Sequence, residues 1–138
     1  VYRRLRPMAL FSFLRLFLTI DLALRELGIL ELVSNSPKQV LTTMLPHWLE
    51  IQKKRPVSRK SFVNQIQAAL KYRPPLDKPN AEILILAGAG DRLAHCQCSV
   101  DVLKAWGGKL VIHPYSGHDL PIDASEWLIK ELKDWGLS

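Results

Sequence analysis

From Met8 to Val33 apolar residues recur at spacings near three and four, through Met8, Phe11, Leu14 and Leu18 and again through Leu22, Leu24, Leu27 and Leu30. That period predicts helix, because residues three and four apart share a helical face, and Gly28 is where a break is expected. Apolar positions on several faces imply burial. Ser36 followed by Pro37 offers an N-cap and a first-turn proline for a second helix through Val40, Leu41 and Met44. Pro46 should disturb it, with a short piece from His47 to Lys53 continuing at an angle. Ser58 can cap a third helix, in which Phe62, Ile66, Ala69 and Leu70 share one face.

The run Arg73-Pro74-Pro75-Leu76-Asp77-Lys78-Pro79 can be neither helix nor central strand, because its prolines fix φ and remove donors. It divides a helical, lid-like region, residues 1–75, from a second unit, residues 76–138. Beyond it the pattern becomes α/β. Ile83 to Leu86 is a compact apolar run, as expected of a parallel strand buried on both faces, and Gly88 and Gly90 turn the chain. Ser99 to Trp106 reads as a helix stopped by Gly107-Gly108, Leu110 to Ile112 as a second strand, and Asp123 to Trp135 as a last helix. Asp123 and Glu126 have capping-box spacing at its start. Trp106, Trp127 and Trp135 are expected in the core.

Composition changes this picture little. The 138 residues are 48% hydrophobic and 23% charged, ordinary for one globular domain. The formal charge of +6 is scattered, its densest pieces being Arg3, Arg4, Arg6 and the stretch Lys53 to Lys60. No aromatic-rich or finger-like motif accompanies them, so nucleic-acid binding is not expected. Met8 to Ile20 behind three arginines superficially resembles a signal peptide, but Arg15 interrupts it and no small-residue cleavage site follows. A lid-type helix is the expectation, with an interfacial membrane helix as the minor alternative. The opening at Val1, already mid-fold in character, suggests a processed or truncated product.

Cys96 and Cys98 lie too close in sequence for an easy disulfide, which points to a reducing, cytoplasmic setting. With His95 they could hold a metal only if a second ligand cluster followed at zinc spacing, and none does. No metal or cofactor is expected. His47, His95 and His113 read as ordinary turn, surface or strand-end residues.

Chemistry in open α/β sheets gathers just beyond the carboxyl ends of strands. Asp91 follows the first strand and His118 the second, so a carboxylate and an imidazole would meet at one spot, two of the three parts of a nucleophile, base and acid triad. The tract Ile83-Leu84-Ile85-Leu86-Ala87-Gly88-Ala89-Gly90-Asp91-Arg92-Leu93 resembles the strand-and-acid motif of lysophospholipase-like bacterial α/β-hydrolases. Tyr115-Ser116-Gly117-His118-Asp119-Leu120-Pro121-Ile122-Asp123, followed by Glu126-Trp127-Leu128, is similar to that family's histidine loop and last helix. The resemblance covers about the last 55 residues. Asp91 and His118 stand 27 positions apart, in the family's order of acid before histidine.

The resemblance implies a partial α/β-hydrolase fold, two parallel strands alternating with helices behind a helical lid, acting on an ester or amide of a small apolar acyl group. Asp91 would be the triad acid and His118 the base. The family's nucleophile needs Gly-x-Ser-x-Gly or a near relative, and no such run occurs. Ser116 sits in the histidine loop and Cys96 beyond the acid, so neither is an elbow. The chain alone should therefore be inactive. Two strands would leave an open edge, so a homo-oligomer or a complementary N-terminal hydrolase half is the expected partner. The alternative is a non-catalytic binding or oligomerisation module with an apolar groove.

Overall fold

The computed structural model describes residues 6–72 and 77–136. Described residues form helices α1 (Pro7–Leu18), α2 (Leu22–Val33), α3 (Lys38–Lys54) and α4 (Arg59–Lys71), then β1 (Leu84–Gly88), α5 (Gln97–Trp106), β2 (Lys109–His113), α6 (Leu120–Asp123) and α7 (Ser125–Asp134). The molecule is mostly helical, with one two-stranded parallel sheet, and in that loose sense α/β. The boundary at 75/76, most of the proline run, and Arg3 and Arg4 lie outside the described residues.

The first helical tract breaks at Thr19 to Asp21, not at Gly28. Thr19 and Asp21 are extended, and the Asp21 carboxylate accepts from the Leu24 amide at 2.8 Å, opening α2 with an N-cap. Gly28 stays inside α2 because a side chain there would meet Leu16 Cδ2 at 2.5 Å, so the glycine lets α1 and α2 pack closely. Pro46 does not divide α3 either. Pro46 and Thr42 both lie on the exposed face, where water can take the carbonyl bond that proline forfeits. Ser58 caps α4 as expected, accepting from the Ser61 amide at 3.1 Å.

Burial is thinner than the apolar pattern implies. In α1 only Ala9 and Leu16 are buried, while Leu10, Phe11, Leu14 and Leu18 are each more than half exposed. Phe13 and Phe17 turn inward against Phe62 of α4, at ring separations of 5.9 and 6.2 Å. The three tryptophans expected in the core are only half-buried. No helix among the described residues is long and apolar enough to cross a membrane.

The strands run parallel with Leu84 opposite Lys109 and Gly88 opposite His113, so their carboxyl ends are flush. β1 is half-buried along most of its length rather than buried on both faces, because β2 is its one strand neighbour among the described residues. The expected last helix is two pieces. Ala124, at φ −153° and ψ 51°, separates α6 from α7, and Asp123 closes the first piece instead of capping the second.

Candidate functional site

Two loops leave the flush strand ends, residues 89–96 after β1 and 114–119 after β2. Glycines let them interlock. A Cβ on Gly88 would stand 2.3 Å from the carbonyl oxygens of both Ser116 and Gly117, and one on Gly90 would stand 2.3 Å from the Asn35 amide nitrogen. With no side chains in the way, the Ala89 amide donates to the His113 carbonyl at 2.9 Å and Gly90 to Ser116 at 3.0 Å.

Asp91 emerges from this turn with both oxygens engaged. Its Oδ1 accepts from the amides of Leu93 and Ala94 at 2.7 and 2.9 Å, a local bridge to the backbone ahead that fixes the carboxylate plane. Its Oδ2 accepts from His118 Nδ1 at 2.8 Å. The side chains are 13% and 50% exposed, so the carboxylate is sheltered and the ring reaches solvent. The two residues singled out in the sequence are thus brought together.

The ring is held by its chain neighbours. Gly117 donates to Asp123 Oδ2 at 2.6 Å and Asp119 donates to the Val33 carbonyl at 2.8 Å, so the backbone on both sides of His118 is tied down. Beneath it the His113 Nδ1 accepts from the Ser116 amide at 3.0 Å and pairs with the Ser116 hydroxyl at 2.5 Å. An amide can only donate, so His113 carries its proton on Nε2 in this arrangement. Its ring stands edge-on to Trp127 at 5.0 Å.

The supporting residues were not recognisable from the sequence. Asp123, expected as a helix cap, gathers five donors: the Ser34 and Ser36 hydroxyls and the amides of Asn35, Ser36 and Gly117. Ser36, expected to cap α3, serves this carboxylate while Pro37 occupies the cap position. The Asn35 side chain donates to the carbonyls of Gly90 and Tyr115 at 3.1 and 2.9 Å, joining the α2–α3 connection to both site loops. Arg92 donates to the Ser34 carbonyl at 2.5 Å. The available signal was the cluster Ser34-Asn35-Ser36 ahead of Pro37, a concentration of short polar side chains able to bond backbone groups at a distance.

Charge follows this geometry. Burial pushes the Asp91 carboxyl up, but the His118 hydrogen bond and charge and the two amides outweigh it and hold Asp91 below its ordinary range. His118 is raised by the Asp91 hydrogen bond, opposed by burial and aided by the charges of Asp91 and Asp119. For Asp123 burial again pushes up, and the donors from Asn35, Ser34, Gly117 and Ser36 bring the carboxyl below its usual value. With Nδ1–H engaged by a carboxylate, a neutral His118 offers the lone pair of Nε2 to a proton donor, the geometry of a general base.

The nearby hydroxyls are committed elsewhere: Ser116 to His113, and Ser34 and Ser36 to Asp123. Cys96 stands 4.0 Å from His95 Nδ1, and neither Cys96 nor Cys98 forms a disulfide. Among the described residues no three His, Cys, Asp or Glu side chains converge as a metal site.

No family model, curated protein or solved structure matches this chain. What the site can do rests on its own geometry: a carboxylate and an imidazole hydrogen-bonded at adjacent parallel strand ends, fixed from behind by a polar network.

Proposed function

We propose that this chain supplies the acid and the base of an α/β-hydrolase-type centre cleaving ester or amide bonds, with the nucleophile contributed by a segment outside these residues. The observation that carries the reading is the 2.8 Å hydrogen bond between His118 Nδ1 and Asp91 Oδ2, with the opposite edge of a half-exposed ring left for substrate. In that role Asp91 holds the imidazole tautomer and stabilises its cation. His118 takes the proton of an attacking hydroxyl and returns it to the leaving group. Loss of the nucleophile from a triad costs about a millionfold in turnover, and loss of an oxyanion donor about a hundredfold or more.

The test is p-nitrophenyl acetate cleavage by the chain and its His118→Ala and Asp91→Asn variants, together with fluorophosphonate labelling. The expected result is no labelling and turnover near that of free imidazole. Covalent labelling with fast, His118-dependent turnover would show that a nucleophile resides in this chain. An imidazole titration at His118 indifferent to Asp91→Asn would remove the dyad altogether.

A second reading, a binding or oligomerisation module, draws support from a different feature. Leu10, Phe11, Leu14, Phe17, Phe62 and Ile66 line an open groove of about 580 Å³ between α1 and α4. Tight binding of a fatty acid or an apolar dye, weakened by Phe11→Ser and untouched by His118→Ala, would favour it.

A further inference from the structure

A groove of about 1030 Å³ lies beside the Asp91 loop rather than over the dyad; Arg92 and His95 line it, and Asp91 and His118 do not. Its opposite wall is α1, tied to this loop by the Arg6 amide donating to the Leu93 carbonyl at 2.8 Å. From that wall Arg6 and Arg15 face the same space. Three guanidinium groups and an imidazole therefore border one groove.

The groove has little to neutralise them. Its one lining carboxylate, Glu31, stands 3.4 Å from Lys38 Nζ and is already paired. Arg92 spends a single N–H on the Ser34 carbonyl, leaving the rest of its fork. Arg6 Nε is buried and has no hydrogen-bond partner among the described residues, so an anion in the groove would meet this guanidinium at its outer nitrogens. His95 Nδ1 accepts from the Gln97 amide at 3.1 Å, so the ring's other nitrogen is a donor in this arrangement. Unneutralised cationic donors bordering one groove select an anion with several acceptor oxygens, and guanidinium forks match phosphate or carboxylate geometry.

The remaining lining fixes what the anion is attached to. Met8, Leu16 and Leu32 give the groove an apolar flank too large for a bare inorganic ion. We infer that this groove binds a phosphate monoester carrying a short apolar group, its phosphate held by Arg6, Arg15 and Arg92. The assignment is independent of hydrolysis, since the dyad lines no part of the groove.

Calorimetric titration of the full chain with inorganic phosphate, hexyl phosphate and hexanol tests it, with Arg6→Gln and Arg15→Gln as variants and circular dichroism to confirm folding. Arg92 is left intact because it also braces the α2–α3 connection. Hexyl phosphate should bind more tightly than inorganic phosphate, hexanol should not bind, and each variant should weaken hexyl phosphate about tenfold. Arg15 has no side-chain hydrogen bond or ion pair among the described residues, so Arg15→Gln decides the matter if Arg6→Gln fails to fold. Co-sedimentation with phosphatidylcholine vesicles, with and without phosphatidic acid, separates a lipid headgroup from a free metabolite. Arginine-dependent retention on phosphatidic acid alone identifies the source as lipid. Absence of binding on every arm, or binding unchanged in Arg15→Gln, overturns the assignment.

Discussion

At the scale of single residues, the hydrogen bond between Asp91 and His118 is also a statement about pH. The folded-state imidazole is raised above its ordinary value of 6.5, so it binds protons more tightly in the folded chain than in the unfolded one. Its contribution to stability is therefore complete below that value and disappears as pH rises through the raised folded pKa. Half the side chain is exposed, so solvent screening keeps this contribution below about 1 kcal/mol. Asp91→Asn should lower the His118 pKa, which NMR titration of the ring Cε1 proton measures directly; an unchanged midpoint would show that the carboxylate does not govern the imidazole. Asp123 has the opposite sign. Its folded pKa lies below the ordinary value of 3.8, so its contribution is present above that value and is lost as pH falls through the lower folded pKa. Asp123→Ala leaves the amides of Asn35 and Gly117 and the Ser34 and Ser36 hydroxyls short of an acceptor, while the Ser36 amide keeps the Ser34 hydroxyl oxygen at 3.0 Å. With each unsatisfied donor costing roughly 1 kcal/mol and water recovering part of it, a loss of about 3 kcal/mol is expected in urea unfolding.

Elements were legible in the sequence where a local signal decided them, and illegible where a distant partner did. The β1 tract, its glycine turn, β2 and the Ser58 cap follow from apolar runs and capping chemistry, and so does the placing of Asp91 and His118 beyond strand ends. Asp123 and Ser36 look like caps because their neighbours in sequence suit that role, yet their partners lie on the other side of a long chain excursion. The same contrast separates two glycines. Gly88→Ala forces a Cβ to 2.3 Å from two carbonyl oxygens that belong to an interlocked backbone and cannot move aside. Gly28→Ala meets only the end of the Leu16 side chain, which can rotate, and gains about 1 kcal/mol of helix propensity. The expected outcome is a loss of roughly 2 kcal/mol or more for Gly88→Ala and a change within about 1 kcal/mol for Gly28→Ala. Thermal unfolding of the two variants measures the difference, and equal losses would show that the loops do not interlock as described.

For the whole molecule, the accessible surface is 9501 Å², whereas a compact monomer of 15.7 kDa exposes about 7300 Å² by the usual mass scaling. Part of the exposed surface is apolar and lies along two helices. Leu10, Phe11, Leu14 and Leu18 are between 52% and 66% exposed on α1, and Val63 and Leu70 are exposed on α4. Isolated exposed apolar residues are normal, but a contiguous stripe of this length drives association. The two-stranded sheet adds a second route, because backbone groups on its outer edges have no strand partner among the described residues. Self-association is therefore expected, and substitution separates the routes. Leu14→Glu places a charge in the centre of the α1 stripe, where its own fold has nothing to lose since the side chain is more than half exposed. If the stripe is the interface, burying that carboxylate costs several kcal/mol and light scattering should report the monomer mass. If the strand edge is the interface, Leu14→Glu leaves the assembly intact and a proline at Leu86, within β1, disrupts it at the price of the sheet. A chain that is monomeric before any substitution, at concentrations well above micromolar, would mean that the α1 stripe is shielded in a way the structure does not contain.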